Sequence, residues 1–290
     1  MKTLKGKTAI ITGASQGLGL VIAQTYFKEG ANLILCARGA DKLKQASENL
    51  SKEADKDQVI VALPTDVSSP ESVRVLTQTA IANFQQIHIL VNNAGVYGPM
   101  GLLEEVDWDE WVNAVKINLF GSVLMCRAML PHFKSHQYGK IIQLSGGGAT
   151  GSLPRISAYA ASKTAIIRLV ESLAEEVRGT GIDVNAIAPG ALNTRLLDQV
   201  LTAGEEKVGE DFYTRAEKQK VEGGASLERA AKLAVYLASA ESDGITGKLI
   251  SAVWDPWENF STLRHDLMAS DVYTLRRIIP SERNMDWGTD

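Results

Sequence analysis

The chain is poor in the residues that build metal centres and disulfide frameworks. Its 290 residues include two cysteines and four histidines. Cys36 and Cys126 both lie in apolar runs, which predicts free buried thiols in a reducing compartment. His132 and His136 are i,i+4 neighbours, but no carboxylate or cysteine clusters with them, so no metal site is expected. Basic residues are no more abundant than acidic ones: 30 against 34, for a formal charge of -4. That balance offers nothing to the phosphates of a nucleic acid or the anionic face of a membrane. The first residues lack the apolar core of a signal peptide, and no apolar run is long enough to span a bilayer. The expectation is a cytoplasmic protein without nucleic-acid or membrane partners.

What is present is a regular alternation. Short apolar runs suited to buried parallel strands fall at residues 8–12, 32–36, 58–62, 88–91, 140–144, 183–187 and 248–252. Between them lie stretches of helical period at 18–28, 41–54, 71–84, 108–133 (broken near Pro131), 158–178 and 227–238. Alternating strands and helices predict an α/β fold, a doubly wound parallel sheet of about seven strands with helices on both faces. Ligands of such sheets bind beyond the carboxyl ends of the strands. The loops after strands one, four, five and six are therefore the ones to inspect.

The loop after strand one reads Thr12-Gly13-Ala14-Ser15-Gln16-Gly17-Leu18-Gly19. Gly13 permits a tight turn, Gly17 a close approach of backbone to a pyrophosphate, and Gly19 close packing of helix on sheet. The helix that follows supplies N–H groups and a partial positive charge. Tyr159 and Lys163 are i,i+4 on a later helix and share a face. An alcohol losing hydride needs a base and a carbonyl gaining it needs an acid. A phenol brought from a pKa near 10 towards neutrality needs roughly 4 kcal/mol of phenolate stabilisation, to which a nearby ammonium contributes.

In order along the chain come TGASQGLG, Asn92-Asn93-Ala94-Gly95, Asn118, Tyr159-Ala160-Ala161-Ser162-Lys163 and Pro189-Gly190. This series resembles the signature of the short-chain dehydrogenase/reductase family, over residues 5 to about 252. The resemblance implies a catalytic role for Tyr159 as acid/base. Lys163 would act as its pKa modifier and ribose anchor, and Asn118 would organise a water relay. It implies cofactor contacts from Gly13, Ser15, Gln16, Gly17, Leu18 and Gly19, from Asp66 and Val67 at adenine, and from Asn93, Ala94 and Gly95. Pro189, Gly190, Leu192 and Thr194 would complete them near the nicotinamide. The NAD-type aspartate at the end of strand two is replaced by Ala37, and Arg38 follows it. A guanidinium suits a 2′-phosphate, so NADP(H) is favoured over NAD(H). Gln16 stands where many NADP-type relatives carry a basic residue.

One position departs from the pattern. The family serine, thirteen residues before the tyrosine, is Gly146 here. Ser145 swinging in, a backbone N–H of the glycine run, or weak turnover are the three alternatives. The expected function is hydride transfer between NADP(H) and a ketone or secondary alcohol. The alternative is an NADP(H)-binding redox-sensing or regulatory protein. Residues 1–254 are expected to form one domain, with a substrate lid at 191–224. Residues 255–290 are expected to pack on that domain or on an oligomer interface, or to wall the substrate pocket. The resemblance implies a homodimer or homotetramer.

Overall fold

The computed structural model describes residues 2–288. The elements run β1 (Thr8–Thr12), α1 (Gly17–Lys28), β2 (Asn32–Ala37), α2 (Ala40–Ser51), β3 (Ile60–Pro64), α3 (Pro70–Asn83) and β4 (Ile89–Asn92). After them come α4 (Trp108–Val115), α5 (Gly121–His136), β5 (Gly139–Leu144), α6 (Ser157–Glu176) and β6 (Ile182–Ala188). The chain continues through α7 (Arg195–Ala203), α8 (Glu205–Val208), α9 (Glu210–Glu222), α10 (Leu227–Ala238), β7 (Leu249–Ser251) and α11 (Phe260–Met268). All seven strands pair in parallel in the order β3-β2-β1-β4-β5-β6-β7. The order reverses between β1 and β4, so their carboxyl ends open a crevice there.

The two faces of the sheet carry separate cores. Ile11, Leu33, Leu35 and Val91 pack with Ile22, Tyr26 and Phe27 of α1 and with Leu233, Ala234 and Leu237 of α10. Ile10, Ile34 and Leu90 face the other way, onto Leu76 of α3, Met125, Met129 and Phe133 of α5, and Val170 and Leu173 of α6. The side of α6 that carries Val170 and Leu173 therefore faces the sheet. Strand residues buried on both faces read as continuous apolar runs, which is why their period carried no alternation.

Two local expectations need correction. The third strand begins at Ile60 rather than Gln58. The Gln58 amide donates instead to the carbonyls of Phe27 and Ala31 at 2.8 and 2.9 Å, and Val59 N donates to Asn32 Oδ1. The helix at 108–133 is not broken near Pro131 but continues to His136. Proline removes one backbone donor, and the burial of Met129, His132 and Phe133 on either side holds the helix. The irregularity lies earlier, in a π-helical turn at Lys116–Phe120 that joins α4 to α5. The resulting 29-residue helix, Trp108–His136, is the one among the described residues long and apolar enough to cross a membrane, and its buried side is packed in the core.

Among the described residues, none beyond Trp254 lines the main cavity. Trp257, Phe260 and Leu267 enter the core beside α10. The Tyr273 carbonyl accepts from Leu249 N at 2.8 Å, and the Lys248 ammonium donates to the carbonyls of Ser270 and Val272. The tail thus closes over the β7 end of the sheet instead of walling the cavity.

Candidate active site

A cavity of about 890 Å³ opens where the order of strands reverses. On one side lies the glycine loop. Gly13 and Gly17 have φ of +66° and +57°. A side chain at Gly13 would begin 2.9 Å from Ala94 Cα, so only glycine lets the two loops approach. A side chain at Gly19 would collide with the Gly13 carbonyl and the Asn93 amide. Gly19 therefore packs behind the loop and does not line the cavity. Gln16, the N-cap of α1, makes no side-chain cap bond, so the first-turn N–H groups of α1 remain open to a ligand. Such a positive, donor-rich helix end fits a pyrophosphate.

Thr12 joins this loop to the end of β4. Its Oγ accepts from the N–H groups of Asn93 and Ala94 at 2.9 and 3.0 Å. The Asn93 side chain returns two bonds, to the carbonyls of Thr12 (2.9 Å) and Gly13 (3.2 Å). Asn93 thus acts as a brace, although it also borders the cavity with Ala94 and Gly95.

Ser15, Gln16, Leu18, Arg38, Asp66 and Val67 surround the far end of the cavity. One Asp66 oxygen already accepts from Ser68 N and Ser68 Oγ at 2.9 and 2.7 Å. Lys42, one turn into α2, lines the same end and reaches the Gln16 side chain at 3.4 Å. The sequence reading missed this lysine, although its place four residues after Arg38 was visible. Pro189, Gly190, Leu192 and Thr194 follow β6 along the opposite edge.

Tyr159 and Lys163 lie on the inward face of α6, both nearly fully buried. The Lys163 ammonium donates to the Leu144 carbonyl at 2.6 Å and lies 5.6 Å from the centre of the Tyr159 ring. Burial lowers the Lys163 pKa to about 8. Burial also pushes the Tyr159 phenol well up, with a smaller contribution from Tyr97. In the protein alone, then, burial dominates the surroundings of the phenol. Lys163 directs its proton to a carbonyl, and desolvation outweighs its attraction for a phenolate.

Asn118 stands in the π turn and does not line the cavity. Its side chain bonds both ways with the backbone of Val96 (2.9 Å each) and donates to Ser162 Oγ at 3.0 Å. It fixes the loop after β4 against α6. Gly95 packs close to the same group: a side chain there would begin 3.3 Å from Asn118 Oδ1 and 3.6 Å from Lys163 Nζ. Ser145 borders the cavity, but its hydroxyl is buried and lacks a partner among the described residues.

The segment α7 to α9, within the stretch expected to form a lid, has its own small core of Leu197, Val200, Val208 and Ala216, packed with Tyr97, Met100 and Phe212. Tyr97, Leu153, Phe212, Arg215 and the exposed Trp254 complete the cavity. None of these was singled out from the sequence beyond the segment 191–224, because no spacing ties them together.

The short chain dehydrogenase family profile matches residues 7–204. A D-beta-hydroxybutyrate dehydrogenase of Rhizobium meliloti is 32% identical over 253 residues, covering 84% of this chain and 96% of the relative. The oxidoreductase UcpA of Escherichia coli is 36% identical over 251 residues (85% and 93%). A 3beta-hydroxysteroid dehydrogenase of Eggerthella lenta is 33% identical over 249 residues (84% and 91%). The crystal structure of an NAD+-bound xylitol dehydrogenase superposes with a TM-score of 0.78 at 24% identity, covering 86% of this chain and 98% of that one.

Proposed function

The chain belongs to the short-chain dehydrogenase family, and from that premise we propose that it transfers hydride between NADP(H) and a ketone or secondary alcohol. The observation that carries the reading is that α6 presents Tyr159 and Lys163 to the same cavity as the glycine loop and the open end of α1. The nicotinamide supplies the hydride acceptor or donor. The protein's residues do the rest. The first turn of α1 and the glycine backbone bind phosphate, Tyr159 holds and releases the proton, and Lys163 lies where its charge reaches the phenol once a ligand draws it from Leu144.

The preference for NADP(H) rests on Arg38 after Ala37, with Lys42 beside Gln16. Two cations at that end suit a 2′-phosphate, and no carboxylate ends β2 to accept from a free ribose hydroxyl. A homo-oligomer is proposed on the exposed apolar side chains Trp108, Phe120 and Val123 along the α4–α5 helix.

The test is a fluorescence titration with NADPH and NADH, followed by NADPH oxidation with acetophenone, 2-octanone, cyclohexanone and diacetyl. Tight NADPH binding, with turnover lost in Tyr159→Phe, is the expected result. Arg38→Ala should weaken NADPH binding far more than NADH binding. NADPH binding with no turnover of any ketone would favour the second reading, a cofactor-sensing module, which the raised Tyr159 phenol and Gly146 support. Failure to bind either nucleotide would sink both.

A further inference from the structure

Gly146 and Tyr159 are in direct contact. A side chain at Gly146 would overlap the Tyr159 hydroxyl and begin 2.9 Å from its Cζ. The phenol therefore occupies the space in which a serine at this position would start. The glycine does more than omit a donor: it admits the tyrosine. A hydrogen bond to the substrate oxygen must then come from another group.

Tyr97 is the group in place. Its ring meets that of Tyr159 edge to face, with centroids 4.7 Å apart and planes at 71°. The lid core holds Tyr97 from the other side. Its hydroxyl makes no hydrogen bond among the described residues, yet it is not one of the sealed, unpaired polar atoms, and the residue lines the cavity. Burial raises the Tyr97 phenol, which keeps it protonated and a donor at neutral pH. Ser145 is a poorer candidate, because its hydroxyl is sealed from the cavity.

We propose that the Tyr97 hydroxyl donates a hydrogen bond to the substrate oxygen beside Tyr159, in the role that Gly146 leaves vacant. The inference rests on the oxidoreductase reading above. In the reducing direction the carbonyl carbon gains a hydride from the nicotinamide, and the π pair moves onto oxygen. The Tyr159 proton passes to that oxygen and leaves a phenolate, which solvent reprotonates. Tyr97 keeps its proton throughout and stabilises the charge that develops on oxygen. Such a donor acts mainly in the transition state, so its loss falls on kcat more than on KM.

The experiment compares Tyr97→Phe, Tyr159→Phe, Gly146→Ala and Gly146→Ser, with NADPH and the ketone that the wild type reduces fastest. Phenylalanine keeps the ring, so thermal unfolding and NADPH affinity should match the wild type. The expected result for Tyr97→Phe is a kcat lowered on the order of 100-fold, with KM within a few-fold. Both Gly146 variants should lose activity through displacement of Tyr159, and Gly146→Ser should not rescue Tyr97→Phe. An inactive Tyr159→Phe beside a Tyr97→Phe of wild-type kcat overturns this inference and leaves the oxidoreductase reading intact. So does a Gly146→Ser that restores Tyr97→Phe. A wild type that reduces none of the ketones overturns both.

Discussion

Thr12 and Asn93 hold one another across the carboxyl ends of β1 and β4: Asn93 N donates to Thr12 Oγ and Asn93 Nδ2 to the Thr12 carbonyl, each at 2.9 Å. These bonds, with that to Gly13, set the shape of the glycine turn. Asn93→Ala removes both side-chain bonds, each contributing about 1 kcal/mol. Urea unfolding should report a loss of about 2 kcal/mol. NADPH titration should report weaker binding, since the turn loses its brace. Unchanged affinity would mean that Gly13 keeps its conformation unaided.

Lys163 is buried with its pKa lowered to about 8. An unfolded lysine titrates near 10.4. Between these values the unfolded chain binds more protons, so stability rises with pH from about 8 to about 10.4 and the penalty is fully present below pH 8. Lys163→Met removes that penalty along with the bond to Leu144. The stability difference between variant and wild type should therefore shift in the wild type's favour as pH rises through this window. A difference that stays constant in urea titrations at pH 7, 8.5 and 10 would show that Lys163 titrates normally.

His88 sits at the opposite end of the sheet, where its Nδ1 accepts from Thr8 N at 3.1 Å. Only a neutral ring accepts there. Burial, then Lys7, His136 and His132, lower its pKa to about 4, and the edge of Tyr138 packs against it. The unfolded histidine takes a proton near 6.5, so stability is present above that pH and is lost as pH falls towards 4. Melting temperatures measured from pH 7 to 4 should decline, and His88→Gln should flatten the decline. Identical slopes would remove His88 from the acid response.

Trp257 anchors the tail. It is buried beside Tyr236, donates Nε1 to the Ala252 carbonyl at 3.2 Å and lies under the Arg229 guanidinium. Trp257→Ala should cost about 3–5 kcal/mol by cavity formation. NADPH binding should survive, because no described residue beyond Trp254 lines the cavity. A variant of wild-type stability would show that the tail is only laid on the surface.

Much of this protein was legible in one dimension. The strands TAIIT and NLILC are buried on both faces, so they appear as unbroken apolar runs. Glycines 13, 17 and 19 stand out by their spacing after a strand, although the contacts that demand Gly13 and Gly19 come in part from Asn93 and Ala94, and Tyr159 and Lys163 share a face by helical period alone. These features are local, and local spacing is what a sequence displays.

The remainder depends on contacts between distant segments. Gln58 leaves the third strand because carbonyls at Phe27 and Ala31 take its amide. Trp257 enters the core because α10 leaves room for it, not because of any pattern in the tail. Gly146 reads in sequence as a missing hydroxyl, while in the fold it is the space that Tyr159 fills. Tyr97 meets Tyr159 from 62 positions away in the chain, and no periodicity spans that interval. The sequence by itself determined the sheet, the glycine loop and the helix that carries the phenol, since these follow from burial, backbone freedom and helical period. Which side chains converge on that phenol, and whether its surroundings raise or lower its pKa, was decided only by tertiary packing, because desolvation and contact belong to neighbours that chain order does not reveal.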